Sequence, residues 1–482
     1  MGPALDRFAA AEAIAWADVP DAAQWVRELR GGNDGCRTCE RPQTLSFGRI
    51  ETCNWTSKNL QLAAVNATVH YPRHLRPRLE EALADSPVVL VHGPRQCGKT
   101  TLAREVGDAA GFAYFTFDND VQRAAAMADP VGFVADLPER AVLDEVQRVP
   151  LLFTSLKEAV DSRRRPGRFI LAGSANVLLV PKLADSLAGR MEILRLHPLA
   201  QAELAGTKPD FLSNLFGSGF QAIQTGRREG RGLLERVVAG GYPAALARVP
   251  GRRRAAWYRD YADTLIQRDI RDLARISAMD ALPRLLALAA GQTACLVNIS
   301  ELAAPFQTSR PTIREYVTLL SRIFLLEELP PWHGNRNKRL VKTPKLHMTD
   351  TGLACALLGL DVDALAADRT TFGHLLETFV FQELRRQAGW RDEPVAICHF
   401  RDKDQVEVDF VLESAGRLAG VEVKAGSTVT SGDFKGLQKL RDAEPKRFTS
   451  GVVLYDGEAV VSFGPRLHAI PLSFLWTKPE PS

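Results

Sequence analysis

A chain of 482 residues exceeds what one hydrophobic core supports, so the sequence divides into about two to four domains. Its 61 basic and 57 acidic residues leave a net charge of +4, a mildly basic balance that by itself implies no nucleic acid; basic character is local, in RRR at 163–165, RRR at 252–254 and RNKRLVK at 336–342. Seven scattered cysteines, an odd number, point to a reducing compartment, and the absence of a signal pattern or of any run near the roughly 18 apolar residues of a membrane helix predicts a cytoplasmic protein with no membrane partner.

Residues 1–70 read as an extension outside the folded core. Helical spacing in RFAAAEAIAWADV gives way to a polar stretch over 31–60. Cys36 and Cys39 form CRTC and Cys53 follows, but a zinc knuckle wants a second tight ligand pair and none is present. From Arg73 the pattern sharpens. HLRPRLEEALAD has helical spacing, SPVVLVH is a buried strand, and FAYFTF (112–117), AVLDE (141–145), RFILAGS (168–174) and MEILRL (191–196) are further strands, with the helix LLFTSLKEAVDS (151–162) among them. Short apolar runs separated by helices predict parallel strands with crossovers. Residues 205–240, rich in glycine and charge, read as a loop or domain junction. Helical patterns follow in YRDYADTLIQRDIRDLARI and LPRLLALAAG. Over 297–332, Ser300 and Glu301 open one short helix and Ser309, Arg310 and Pro311 open another, which reads as helix-turn-helix. LLETFVFQELRRQ is a helix, followed by strands in VAICHF, VEVDFVL, GVEVKA and GVVLYDG.

GPRQCGKT, from Gly93 to Thr100, fits G-x-x-x-x-G-K-[ST] between a strand and the helix TLAREVG, the context this motif requires. Gly93, Pro94, Arg95, Gln96, Cys97, Gly98 and Thr101 belong to the turn. Its glycines let backbone N–H groups wrap a β-phosphate at a helix N-terminus. Lys99 reaches the β- and γ-phosphates, and Thr100 ligates Mg²⁺. AVLDEVQ supplies a second acid pair: Asp144 holds Mg²⁺ through water, and Glu145 orients or deprotonates the attacking water. Ser174 is either a polar sensor of the γ-phosphate or a helix N-cap. Arg190 is either an arginine finger acting on a neighbouring subunit or a surface arginine.

These residues together resemble a widespread prokaryotic AAA+ family. The motifs that carry the resemblance include GPRQCGKTT, LDEVQRVP, LAGSAN, SLAGR, GGYPA, LIQRDIRDL, SRPTIREYV, LPPW, KRLVKTPKLHMTDTGL, LLETFVFQEL, EVDFVL and VEVKAG, in order over about residues 71–476. The resemblance implies ATP and Mg²⁺ as cofactors, ATP hydrolysis, and a setting in DNA metabolism, defence or toxin–antitoxin systems with an antitoxin or regulatory partner. An arginine placed across a subunit boundary implies a homo-oligomer. The fold implied is α/β: a P-loop, AAA+-like parallel sheet over 71–204, a linker and helical region over 205–280, a winged helix over 281–345 and a PD-(D/E)xK nuclease-like domain over 346–482.

The alternation of a strand puts Glu422 and Lys424 on one face, and Glu407 and Asp409 likewise share a face. If the two strands pair, Asp409 meets Glu422, and Glu377 on the preceding helix adds a third carboxylate. Glu377, Asp409, Glu422 and Lys424 look like the PD-(D/E)xK set: three acids on Mg²⁺ and a lysine that positions water. Val408 stands where that pattern has proline. The same residues also suit the polar edges of an ordinary sheet. In the helix-turn-helix, Arg310, Thr312 and Arg314 either face DNA or lie on an interdomain packing element.

Overall fold

SPVVLVH folds as the strand β1 (Val88–His92), buried along its whole length. A strand that reads as continuously apolar must be covered on both faces, and it is. On one side of the sheet Leu90, Leu143 and Leu171 pack with Phe153; on the other Val89, Val91 and Ile170 pack with Leu102 and Val106. The computed structural model describes residues 70–174, 187–217, 219–221, 224–271, 279–306, 308–334, 343–478 and 480–481. The expectations for 1–69, CRTC included, and for the basic run 336–342 lie outside the described residues.

Helix α1 (Arg76–Asp85) precedes β1, and α2 (Lys99–Ala109) follows the glycine-rich turn. Strands β2 (Ala113–Thr116), β3 (Ala141–Asp144), β4 (Phe169–Gly173) and β5 (Met191–Arg195) complete a sheet of order β2-β3-β4-β1-β5. Every neighbouring pair in it is parallel. The glycine-rich turn therefore leaves from the carboxyl edge of β1, between β4 and β5, where the chain direction of the crossovers changes and where open α/β sheets bind ligands.

Residues 205–240 are more ordered than their composition predicts. Short helices span Gln201–Ala205 and Phe211–Phe216, and α3 (Arg231–Ala239) ends the segment. Phe211, Leu212, Leu215 and Phe216 are buried there, and their hydrophobic anchoring outweighs the nearby glycines. Helix α4 (Arg252–Leu265) runs into a π-helical turn at Ile266–Ile270. Next come α5 (Ala281–Gly291), strand β7 (Cys295–Leu296), α6 (Ile299–Ala303), α7 (Arg310–Arg322), β8 (Leu326–Leu329) and β9 (Lys345–Met348), β6 being the short Gln224–Thr225 pair earlier in the chain. The three strands form an antiparallel sheet of order β7-β9-β8. The first of the two short helices is capped by Asn298, not opened by Ser300, because the Asn298 side chain accepts from the Glu301 N–H; Ser309 caps α7 as expected.

Helix α8 (Thr351–Leu358) and the long α9 (Arg369–Ala388) lead to a mixed sheet of β10 (Ala396–Arg401), β11 (Glu407–Ser414), β12 (Arg417–Lys424), β13 (Phe448–Tyr455), β14 (Val461–Gly464) and β15 (Leu467–Pro471), in the order β10-β11-β12-β13-β15-β14. From Thr68 to the C-terminus the chain is one compact unit. Its largest core is continuous from the helical region into this sheet, joining Leu285, Leu320, Phe381 and Phe410. Among the described residues no helix is long and apolar enough to cross a membrane.

Candidate functional site

The glycine-rich turn is shaped by contacts a side chain would destroy. A Cβ on Gly93 would lie 2.0 Å from the Leu196 carbonyl oxygen, so the chain can pass β5 only with glycine there. Lys99 is buried, and its ammonium donates to the carbonyls of Gly93 (3.1 Å) and Pro94 (2.7 Å), inside the loop it closes. Thr100 Oγ1 donates to Asp144 Oδ2 at 2.7 Å, and Tyr114 Oη donates to the same oxygen at 2.9 Å. Burial, then the Asp144 charge, push the Tyr114 hydroxyl up to about 12, so it stays a donor. A hydroxyl and a carboxylate in contact at the end of a phosphate loop are the donor set Mg²⁺ takes in such sites. Glu145 follows with φ 55°, left-handed and rare for a non-glycine residue. Its carboxylate accepts from Gln147 Nε2, which also donates to Ser174 Oγ at 3.0 Å. A cavity of about 360 Å³ opens over the turn between Tyr71, Gln96, Lys99, Glu145, Pro243 and Ala244. A wider cleft of about 900 Å³ beside Arg252 and Cys355 contains no residue of the turn, so volume alone does not locate this site.

The turn is fastened to the next region. Arg95 Nε pairs with Asp269 in the π-helical turn at 2.8 Å, and Tyr261 Oη donates to the Arg95 carbonyl at 3.0 Å. At the sheet edge Arg195 reaches Glu327 of β8 (3.3 Å), which also accepts from Arg385 of α9 (2.9 Å).

The second cluster lies on the six-stranded sheet. Strands β11 and β12 pair antiparallel with Phe410 opposite Val421. Asp409 and Glu422 therefore meet, the Asp409 N–H donating to Glu422 Oε2 (3.3 Å) and the Val423 N–H to Asp409 Oδ2 (3.0 Å). Glu377 approaches from α9. The centre of the group is the ammonium of Lys345, from β9: 2.7 Å from Glu377, 3.5 Å from Asp409 and 3.9 Å from Glu407. Burial works against that charge, and Glu377 and Asp409 outweigh it, so the Lys345 ammonium is held protonated. Burial first and Asp409 second push Glu377 up to about 8 and Glu422 well above the carboxylate range, with Lys345 opposing both. Glu377, Asp409 and Glu422, the acids expected to share Mg²⁺, are thus gathered on one face with a lysine from another sheet beside them. The Lys345 ammonium pairs with Glu377, Asp409 and Glu407, and among the described residues no group of three or more His, Cys, Asp or Glu is arranged to hold a metal. Lys424, expected as the catalytic lysine, turns to Asp433 at 2.9 Å instead. Strand alternation predicts the face of a side chain, not the partner its long stem reaches.

An AAA domain model matches residues 85–205, and two models described as domains of unknown function match 230–364 (DUF8612) and 372–475 (DUF4143). Two uncharacterized proteins, Rv2008c of Mycobacterium tuberculosis and Mb2031c of Mycobacterium bovis, are each 32% identical over 357 residues, 74% of this chain and 74% of theirs. The chain belongs to their family. Among solved structures, the Walker-type ATPase PABY2304 of Pyrococcus abyssi is 18% identical, over 60% of this chain and 96% of that one, with a TM-score of 0.36. The RuvB Holliday junction branch migration motor of Thermotoga maritima is 20% identical, over 53% and 89%, with a TM-score of 0.22.

In this family member Arg190 lies at the opposite end of the sheet from its own phosphate loop. It precedes β5, whose five residues run parallel to β1, so roughly 16 Å of strand separates the two. There it pairs with Asp161. Arg314 pairs with Glu328 of β8, Thr312 shares its hydroxyl with Ser309 (2.8 Å), and Arg310 is exposed. Sequence reasoning missed Tyr114, Gln147 and Lys345. The first two stand near readable acids; Lys345 carries no local signal.

His92, the last residue of β1, gives a pH test of the sheet. Burial, then the charges of Arg195 and Lys99, lower it to about 4, and its Nδ1 has no hydrogen-bond partner among the described residues. The unfolded chain takes up this proton below about 6.5 and the native state does not, so the contribution is whole above that pH and falls as pH drops toward 4. Urea melts should show about 3 kcal/mol lost over that window relative to His92→Asn. Parallel curves for the two proteins would contradict it.

Proposed function

We propose that this protein binds and hydrolyses ATP at the Gly93–Thr101 turn and uses the nucleotide state to set the posture of the helical and C-terminal regions. The observation that carries the reading is the contact of Thr100 with Asp144 at the mouth of a turn whose lysine and following acid, Lys99 and Glu145, share one cavity. Lys99 exchanges its two loop carbonyls for β- and γ-phosphate oxygens. Thr100 and Asp144 would hold Mg²⁺, which would neutralise phosphate charge. Glu145 takes the proton of the attacking water, and Ser174 with Gln147 holds Glu145 in place. Arg190 acts on the nucleotide of a neighbouring copy, which makes the working form a homo-oligomer. Calorimetric titration of purified protein with ATP and Mg²⁺ tests this: binding in the micromolar range is expected, and no measurable heat or competition at millimolar ATP ends the reading.

The route outward runs through Arg95 to Asp269 and through Arg195 and Arg385 to Glu327. The helices and strands between Ala281 and Met348 we read as a winged helix that serves as an interdomain element. Its β8 arm supports that reading, since the His399 N–H donates to the Pro330 carbonyl (2.9 Å) and the Trp332 N–H to the His399 carbonyl (2.5 Å). For the C-terminal region the resident Lys345 ammonium favours an ATP-switched binding or regulatory protein with a non-catalytic nuclease-like domain over a metal-dependent nuclease. No cleavage of DNA or RNA in Mg²⁺ or Mn²⁺ is expected. Cleavage that Glu422→Gln abolishes would restore the nuclease and, with it, DNA as the partner.

A further inference from the structure

The acids of the C-terminal sheet are arranged around a cation that the chain itself supplies. We propose that Lys345 is the resident cation of this cluster: its ammonium occupies the position a divalent ion would take, excludes that ion, and clamps the arm that carries it to the six-stranded sheet. The inference deepens the non-catalytic reading of the C-terminal region and rests on it.

Burial and reach support the assignment. A lysine is almost never buried unless paired, and Lys345 is 5% exposed with carboxylates of Glu377, Asp409 and Glu407 all within 4 Å. Those acids come from α9 and β11, whereas Lys345 comes from β9 of a different sheet. The residues that follow β8 and those that lead into β9 both meet β10. After β8, Pro330 and Trp332 exchange backbone hydrogen bonds with His399 of β10. Before β9, the Thr343 carbonyl meets His399 Nε2 at 3.2 Å, and Lys345 enters the acids two residues later.

Two of the acid oxygens are tied to backbone donors. Asp409 Oδ2 accepts the Val423 N–H and Glu422 Oε2 accepts the Asp409 N–H, so each already answers a backbone donor of the opposite strand. Any ion among the same oxygens would lie against an ammonium of like charge in a setting where charges are poorly screened. Lys424, which a metal-dependent site would aim at water, is drawn aside by Asp433. The arrangement fits one monovalent, directional, protein-borne cation better than a hard divalent one that wants several free oxygens.

Nucleotide-free protein titrated with Mn²⁺ and followed by loss of the free-ion paramagnetic signal tests the proposal. Wild type is expected to bind no Mn²⁺ that Glu422→Gln removes. Lys345→Met is expected to gain a site at least about tenfold tighter than anything in wild type, and Lys345→Met/Glu422→Gln to lose it. Wild-type binding that Glu422→Gln abolishes overturns the proposal, and so does a folded Lys345→Met that gains nothing. If Lys345→Met does not fold, Lys345→Met/Glu377→Gln, with one fewer unbalanced acid, is read in its place, and the wild-type comparison decides exclusion regardless. ATP titration of the same proteins keeps the outcomes apart, because loss of ATP affinity in wild type sinks the ATPase reading and leaves the cation result standing.

Discussion

Glu145→Gln should slow ATP hydrolysis by at least about 100-fold while leaving ATP affinity within about threefold of wild type. The expected size follows from what the substitution removes. Glutamine keeps the length of the side chain and an acceptor oxygen for Gln147 Nε2, so the chain from Glu145 through Gln147 to Ser174 survives. What is lost is the basicity that accepts a proton from water. Lys99, Thr100 and Asp144, the residues proposed to carry the phosphate and the metal, are untouched, so the ground state is expected to bind as before. The backbone at this residue argues in the same direction. A left-handed glutamate costs on the order of 1–3 kcal/mol, and it opens the short turn Val146–Arg148. The conformation does deliver the carboxylate to the cavity that Lys99 lines. Single-turnover hydrolysis alongside equilibrium binding separates the two effects. A variant that hydrolyses at the wild-type rate would remove Glu145 from the chemistry. A variant that no longer binds would make it a structural residue.

The strand, glycine-rich turn and helix of the proposed phosphate site were legible because they are local. Strand, turn and helix are contiguous from Val88 to Ala109, and periodicity and glycine placement report on contiguous chain. The meeting of Asp409 with Glu422 was legible for the same reason, since β11 and β12 form a hairpin whose register alternation fixes. Lys345 was not. It lies 64 positions from Asp409 and on another sheet, and nothing in TPKLHM distinguishes a lysine at a strand start from one in solvent. Composition misled over 205–240 because helix propensity is a weak prior, and the burial of Phe211 and Phe216 overrides it. The motifs GGYPA, TDTGL and FQEL were visible as strings with no assignable role. Their reason is tertiary. The Gly241 N–H donates to Asp350 Oδ2 across 109 positions, and the Gln201 N–H donates to Glu383 Oε2 across 182. No window of sequence holds both ends of either bond.

Those three motifs converge on Arg386, and Arg386→Met should cost about 3–5 kcal/mol of stability at neutral pH. The arginine is 5% exposed; its Nη1 lies 2.6 Å from Glu383 Oε1 and its Nη2 3.9 Å from Asp350 Oδ2. Both acids are buried, and the backbone passes close to Asp350, since a Cβ on Gly240 would lie 2.2 Å from Asp350 Oδ1. Methionine approximates the stem of arginine and fills its volume, which leaves the loss of the cation as the main change. Burial raises both acids, and the Arg386 charge opposes it most strongly in each. Without the guanidinium they rise further. A carboxyl held above its unfolded value binds a proton in the native state that the unfolded chain gives up, so the penalty grows as pH rises from the unfolded value to the folded one and shrinks as pH falls through the same interval. The variant should therefore recover toward wild type between pH 7 and about 5, measured as the difference in urea midpoints at the two values. A loss under about 1 kcal/mol at pH 7, or a loss that pH does not move, would mean that Asp350 and Glu383 are satisfied by Gly241, Leu353 and Gln201 alone and that the arginine is dispensable to the junction.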